Sequence, residues 1–106
     1  MKRIKFKILG RKWELRLMKR RAYKHKNGSD SLAMTRSHKR RIDISPRGLD
    51  KATIGHELVH AYIAEMCLHS SDLEHAAFEE FFCELLSKRG QEILNLAQAI
   101  YKELKK

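Results

Sequence analysis

Charged and apolar residues alternate over residues 3–9 (RIKFKIL), with Ile4, Phe6 and Ile8 on one side and Arg3, Lys5 and Lys7 on the other. A period of two marks a strand with one buried face. Gly10 with Arg11 supplies a tight turn, and residues 12–18 (KWELRLM) alternate again, with Trp13, Leu15 and Leu17 on one side. A hairpin follows from this pattern. Residues 19–31 read as a loop, because Asn27-Gly28-Ser29-Asp30 is strong turn chemistry. A short strand is expected over residues 32–35. Another is expected over residues 40–45 (RRIDIS), burying Ile42 and Ile44.

The period then changes. Ser45-Pro46 resembles a helix N-cap followed by proline in the first turn, with Asp50 as the alternative cap. A helix is expected from residue 48 or 51 to Cys67. Ser70, Ser71 and Asp72 offer a fresh start for a second helix over residues 72–88, closed by Arg89-Gly90 as a glycine C-cap. A third helix is expected over residues 91–104, with Ile93, Leu94, Leu96, Ala97, Ile100, Tyr101 and Leu104 as its apolar set. Strands first and helices second give an α+β fold: a small N-terminal antiparallel or mixed sheet packed on about three C-terminal helices. One domain is expected to span residues 1–106, divided into a β half (1–45) and a helical half (46–106).

Charge sharpens the division. Residues 1–51 hold 18 Lys/Arg against 4 Asp/Glu, whereas residues 52–106 hold 5 against 9. A basic half of this kind suits a polyanion, with nucleic acid or a DNA-bound protein as the candidate partner. Solubility alone would account for it as well. The candidate contacts are Lys19, Arg20, Arg21, Lys24 and Lys26 in KRRAYKHK, and Lys39, Arg40 and Arg41 in RSHKRR. With no run of about eighteen apolar residues, no membrane partner is expected. The basic N-terminus lacks the apolar stretch of a secretory signal, and two cysteines are too few for a disulfide scaffold. The expected compartment is the cytoplasm.

The residues with distinctive chemistry lie in the first expected helix, in GHELVH. Positions four apart on a helix lie one turn along and nearly in line, so His56 and His60 project from one face. Two imidazoles placed this way can share a tetrahedral Zn²⁺. Glu57 is rotated off that line, where it can serve as general base toward a water whose pKa the metal lowers from about 15.7 to about 7. Zn²⁺ is therefore the expected cofactor, and attack by a metal-activated water the expected chemistry.

A further ligand is needed. A third histidine six residues past His60 is excluded by Met66, so the second expected helix must supply the ligand. With Phe78, Phe82, Leu85 and Leu86 taken as its inward face, Glu79 falls at the edge of that face. A carboxylate turned toward a core needs a partner, which makes Glu79 the first choice; Glu80 and His75 are the alternatives. Tyr62 and Tyr101 are the tyrosines available to stabilise an oxyanion.

GHELVHAYIAEMCL, preceded by RIDIS and followed by FEEFFCELLSKRGQEI, resembles the zincin metallopeptidases whose third ligand is a glutamate on the next helix. The likeness covers roughly residues 40–93 and is nearest to the small phage- and prophage-type proteins of the ImmA/IrrE group. It implies a minimal zincin-like domain with His56 and His60 as zinc ligands, Glu57 as base and Glu79 as third ligand. It also implies peptidase activity on a protein or peptide, in some relatives a transcriptional repressor. An acidic residue often stands one turn after the ligand glutamate in such proteins; here that position is Cys83. An alternative is a nucleic-acid-associated zinc-binding module, SprT-like or non-catalytic, that uses the basic half.

Overall fold

A computed structural model describes residues 2–19, 33–67 and 75–106, without the side chains of residues 67 and 75–84. Its first two strands, β1 (Lys2–Ile8) and β2 (Arg11–Leu17), form the expected hairpin, with Ile4 opposite Leu15 and Phe6 opposite Trp13. The two-residue link is Leu9-Gly10, both with positive φ (49° and 81°). Such a pair matches the right-handed twist of a hairpin, and glycine adopts its half without strain.

Strands β3 (Ala33–Arg36) and β4 (Arg41–Ile44) form a second antiparallel pair, joined through a 3₁₀ turn at Ser37–Lys39. That turn closes on Arg40 in the left-handed region (φ 50°), whose N–H donates to the Ser37 carbonyl. The sheet order is β1-β2-β4-β3, so β4 lies inside the sheet and β3 at its edge. The hairpins meet along a parallel seam that pairs Glu14–Leu17 with Arg41–Ile44. The sheet is therefore mixed. Its inward face carries the alternating set read from the sequence, with Ile8, Trp13, Leu15, Ile42 and Ile44 all buried.

A second 3₁₀ turn at Pro46–Gly48 leads into α1 (Lys51–Cys67). Ser45 precedes that turn but makes no side-chain cap; the cap of α1 is Asp50, whose Oδ1 accepts from the Thr53 N–H at 2.7 Å. Ile54, Leu58, Ala61 and Tyr62 form the buried stripe of α1 at the spacing of a helix face. Truncating Leu58, which is fully buried, would cost about 2–5 kcal/mol in transfer and cavity terms.

The remaining described chain corrects the expected helix count. One helix, α2 (His75–Lys105), replaces the two expected over residues 72–88 and 91–104. Gly90 lies inside it, and Gly10 is the one described glycine with positive φ. A glycine within a helix costs only about 1 kcal/mol relative to alanine. The apolar stripe Leu85, Ile93, Ala97, Ile100 and Leu104 runs past Gly90 in phase and is buried throughout. Burial of that stripe outweighs the local stop signal. Leu86 and Leu94, assigned to apolar faces from sequence, are instead exposed.

Candidate metal centre

α1 presents its chemistry on two sides. His56 and His60 are exposed, whereas Glu57 is 6% exposed. The histidine rings meet edge to face, 4.9 Å between centroids, with their Nε2 atoms 3.2 Å apart. Two nitrogens bound to one tetrahedral ion at about 2.0–2.1 Å would stand about 3.3 Å apart. The pair therefore already has the bite of a shared Zn²⁺. Without a metal, the same spacing accommodates a hydrogen bond between one protonated and one unprotonated ring nitrogen.

Glu57 is held from the sheet edge. Thr35 Oγ1 donates to Glu57 Oε2 at 2.8 Å and lies 3.2 Å from the Glu57 carbonyl oxygen. Thr35 pairs with Ile42 in the register and so faces α1 rather than solvent. Sequence reading placed a strand here but missed this hydroxyl. The available signal was a polar residue at an inward position of the β3 alternation.

A cleft of about 480 Å³ is lined by Ala33, Ala52, Thr53, His56 and Glu57. A second, of about 380 Å³, is lined by residues including Ala33, Thr35, Glu57 and His60. Ala33 and Glu57 belong to both, so the space between β3 and α1 runs past Glu57 and both histidines.

The far half of α1 is fixed by Glu65, also missed from sequence. Its Oε1 accepts from Trp13 Nε1 at 2.8 Å and from Arg40 Nε at 2.6 Å. One carboxylate thus ties the helix to β2 and to the left-handed Arg40. Glu65 lies two helical turns beyond Glu57 on the same stripe, an inward phase that marked it as partnered.

Among the described residues no group of three His, Cys, Asp or Glu side chains converges to hold a metal. The third-ligand candidates Glu79, Glu80 and His75 belong to the first turns of α2, but their side chains lie outside the described residues. Tyr62 is not placed for an oxyanion: it is buried between the helices, and its hydroxyl donates to Glu92 Oε2 at 2.6 Å. Burial, reinforced by the Glu92 carboxylate, pushes its pKa upward. Tyr101 lies under the ammonium groups of Lys51 and Lys105, each 5.6 Å from its ring centre.

Of the basic residues picked from sequence, Arg20, Arg21, Lys24 and Lys26 lie outside the described residues. Lys19 and Lys39 are exposed, Arg40 is paired with Glu65, and Arg41 lies 3.2 Å from Asp43. No described helix is long and apolar enough to cross a membrane. No protein-family model, curated protein or solved structure matches the chain, which leaves the geometry of His56, Glu57 and His60 as the basis for a functional reading.

Proposed function

We propose that the protein is a minimal zinc-dependent endopeptidase of the zincin type. The observation that carries this reading is the 3.2 Å separation of His56 Nε2 and His60 Nε2 beside a base anchored in a cleft. His56 and His60 would hold the metal with Glu79 as third ligand and Glu80 or His75 as alternatives. The metal would supply Lewis acidity, polarising a carbonyl and lowering the pKa of a water molecule.

The chain supplies the rest. Thr35 fixes Glu57 Oε2, which leaves Oε1 as the oxygen to take a proton from the attacking water and pass it to the leaving amine. β3, the edge strand bordering the cleft, offers main-chain hydrogen bonds to an extended peptide. The chemistry at Glu57 and the route along β3 both suit a peptide substrate.

The test is metal analysis of the wild type beside His56→Ala, Glu57→Gln and Glu79→Gln, with hydrolysis of a quenched-peptide library followed in parallel. The expected result is loss of metal in the first and third variants, and metal retained with lost hydrolysis in the second. Metal retained in all three would refute the site.

A further inference from the structure

The sheet has a second face, and none of the chemistry above uses it. Strand register places its residues in rows across the strands: Lys7 beside Lys12; Lys5, Glu14, Arg41 and Arg36; then Arg3, Arg16, Asp43 and Met34. That is seven cations against two acids on one face. Three of the cations converge on Asp43, which is 2% exposed: Arg36 Nε lies 3.1 Å from Oδ2, and Arg41 and Arg16 Nε lie 3.2 and 3.4 Å from Oδ1.

One carboxylate cannot neutralise three guanidinium groups. Arg36 Nε donates to Oδ2, whereas Arg16 Nε and Arg41 Nε are buried beside Oδ1 without a hydrogen bond of good geometry. Asp43 thus gathers the arginines and leaves the cluster positive. Beyond it, Lys5, Lys7 and Lys12 are exposed. A cleft of about 470 Å³ at this end of the hairpin is bordered by the same three lysines together with Lys39, Arg40, Glu14, Phe6 and Trp13.

Lysines on an edge strand also discourage strand-to-strand aggregation, which would account for Lys5 and Lys7 on β1. It does not account for Lys12 and Arg16 on β2 or Arg41 on β4, since both strands are interior.

We propose that this face binds the phosphate backbone of duplex nucleic acid. Arginine forks and lysines at alternate strand positions suit phosphate oxygens. Phe6 and Trp13 border the cleft, but both belong to the inward row and Trp13 is 2% exposed, so the cationic rows themselves carry no aromatic platform for the unstacked bases of a single strand. Apolar anchors of the kind that hold protein partners are also lacking, with Met34 the one large apolar residue in the rows. Recognition is therefore through the backbone and independent of sequence. The inference does not depend on the metal centre and would survive its failure.

The test is fluorescence anisotropy of a short labelled DNA duplex titrated with the full chain across a salt series. The variants are a triple reversal, Lys5→Glu with Lys7→Glu and Lys12→Glu, and a matched reversal on α2, Lys88→Glu with Lys102→Glu and Lys105→Glu. Circular dichroism establishes that each remains folded; if the sheet reversal does not fold, Lys5→Gln with Lys12→Gln takes its place. The sheet variant should bind at least about tenfold more weakly at low salt, and its log–log salt slope should shrink by about 2–3. The α2 variant should retain most of the wild-type affinity and slope. Three results would overturn the proposal: no duplex affinity in the wild type at low salt, equal losses in both variants, or tighter binding to polyglutamate or to vesicles of phosphatidylserine and phosphatidylcholine in equal parts than to the duplex.

Discussion

Thr35 and Glu57 are joined by a 2.8 Å hydrogen bond from a strand hydroxyl to a helix carboxylate, and this bond engages Oε2 of the carboxylate. Under the proposed function Thr35 acts through Glu57 and is a positioning residue. Thr35→Val should lower peptide hydrolysis by about tenfold, the scale of one hydrogen bond at a reacting group, with metal content unchanged. Thr35→Ser, which retains the hydroxyl, should recover most of the rate. A Thr35→Val enzyme as active as wild type would remove Thr35 from the mechanism.

Glu65 holds two donors with one oxygen, and its side chain is 4% exposed. Glu65→Ala would strand the indole N–H of Trp13, itself 2% exposed, and leave Arg40 without its anchor. The expected loss is about 2–3 kcal/mol, read as a thermal midpoint lower by on the order of 10 °C. Glu65→Gln keeps an acceptor for Trp13 and should lose less.

Gly90 lies inside α2, and a Cβ built on it meets nothing within 4 Å. Gly90→Ala should therefore stabilise the protein by about 0.5–1 kcal/mol in urea unfolding, because alanine has less backbone entropy to lose. A left-handed C-cap at this position would give the opposite sign.

Tyr62 predicts an alkaline limit. Its folded pKa is raised, first by burial and then by the Glu92 hydrogen bond and charge, so the folded chain holds this proton more tightly than the unfolded chain. The associated stability is fully present below the ordinary tyrosine value near pH 10 and is lost progressively above it. Denaturation midpoints of the wild type should fall more steeply above about pH 10 than those of Tyr62→Phe. Parallel curves would contradict the assignment.

The sheet was legible where the pattern was local. Alternation in RIKFKIL, KWELRLM and RRIDIS gave the inward faces, because a period of two depends only on which side must be buried. Strand order was not legible: no local feature of RIDIS says that it inserts between β2 and β3. The Thr35–Glu57 contact depends on that order and was hidden with it.

At Gly90 the sequence misled for the opposite reason, since a short-range stop signal was read where a long apolar stripe prevails. Asp43 resembled any outward acid of an alternating strand until register brought Arg16, Arg36 and Arg41 around it. His56, Glu57 and His60 were legible because the geometry of one helix turn is fixed by spacing alone.

The parallel seam between β2 and β4 joins two antiparallel hairpins. Each hairpin closes over a short stretch of chain, whereas the seam joins segments distant in sequence. The Thr35–Glu57 contact lies entirely within the later unit, β3 to α1. The full rows need both units, since Asp43 of one reaches Arg16 of the other, whereas Lys5, Lys7 and Lys12 stand on the first hairpin alone. Partial opening at the seam would part Arg16 from Asp43 and its other arginines while leaving those lysines and the Thr35–Glu57 hydrogen bond in place. The arginine cluster is thus a property of the joined sheet, and the cleft a property of one unit.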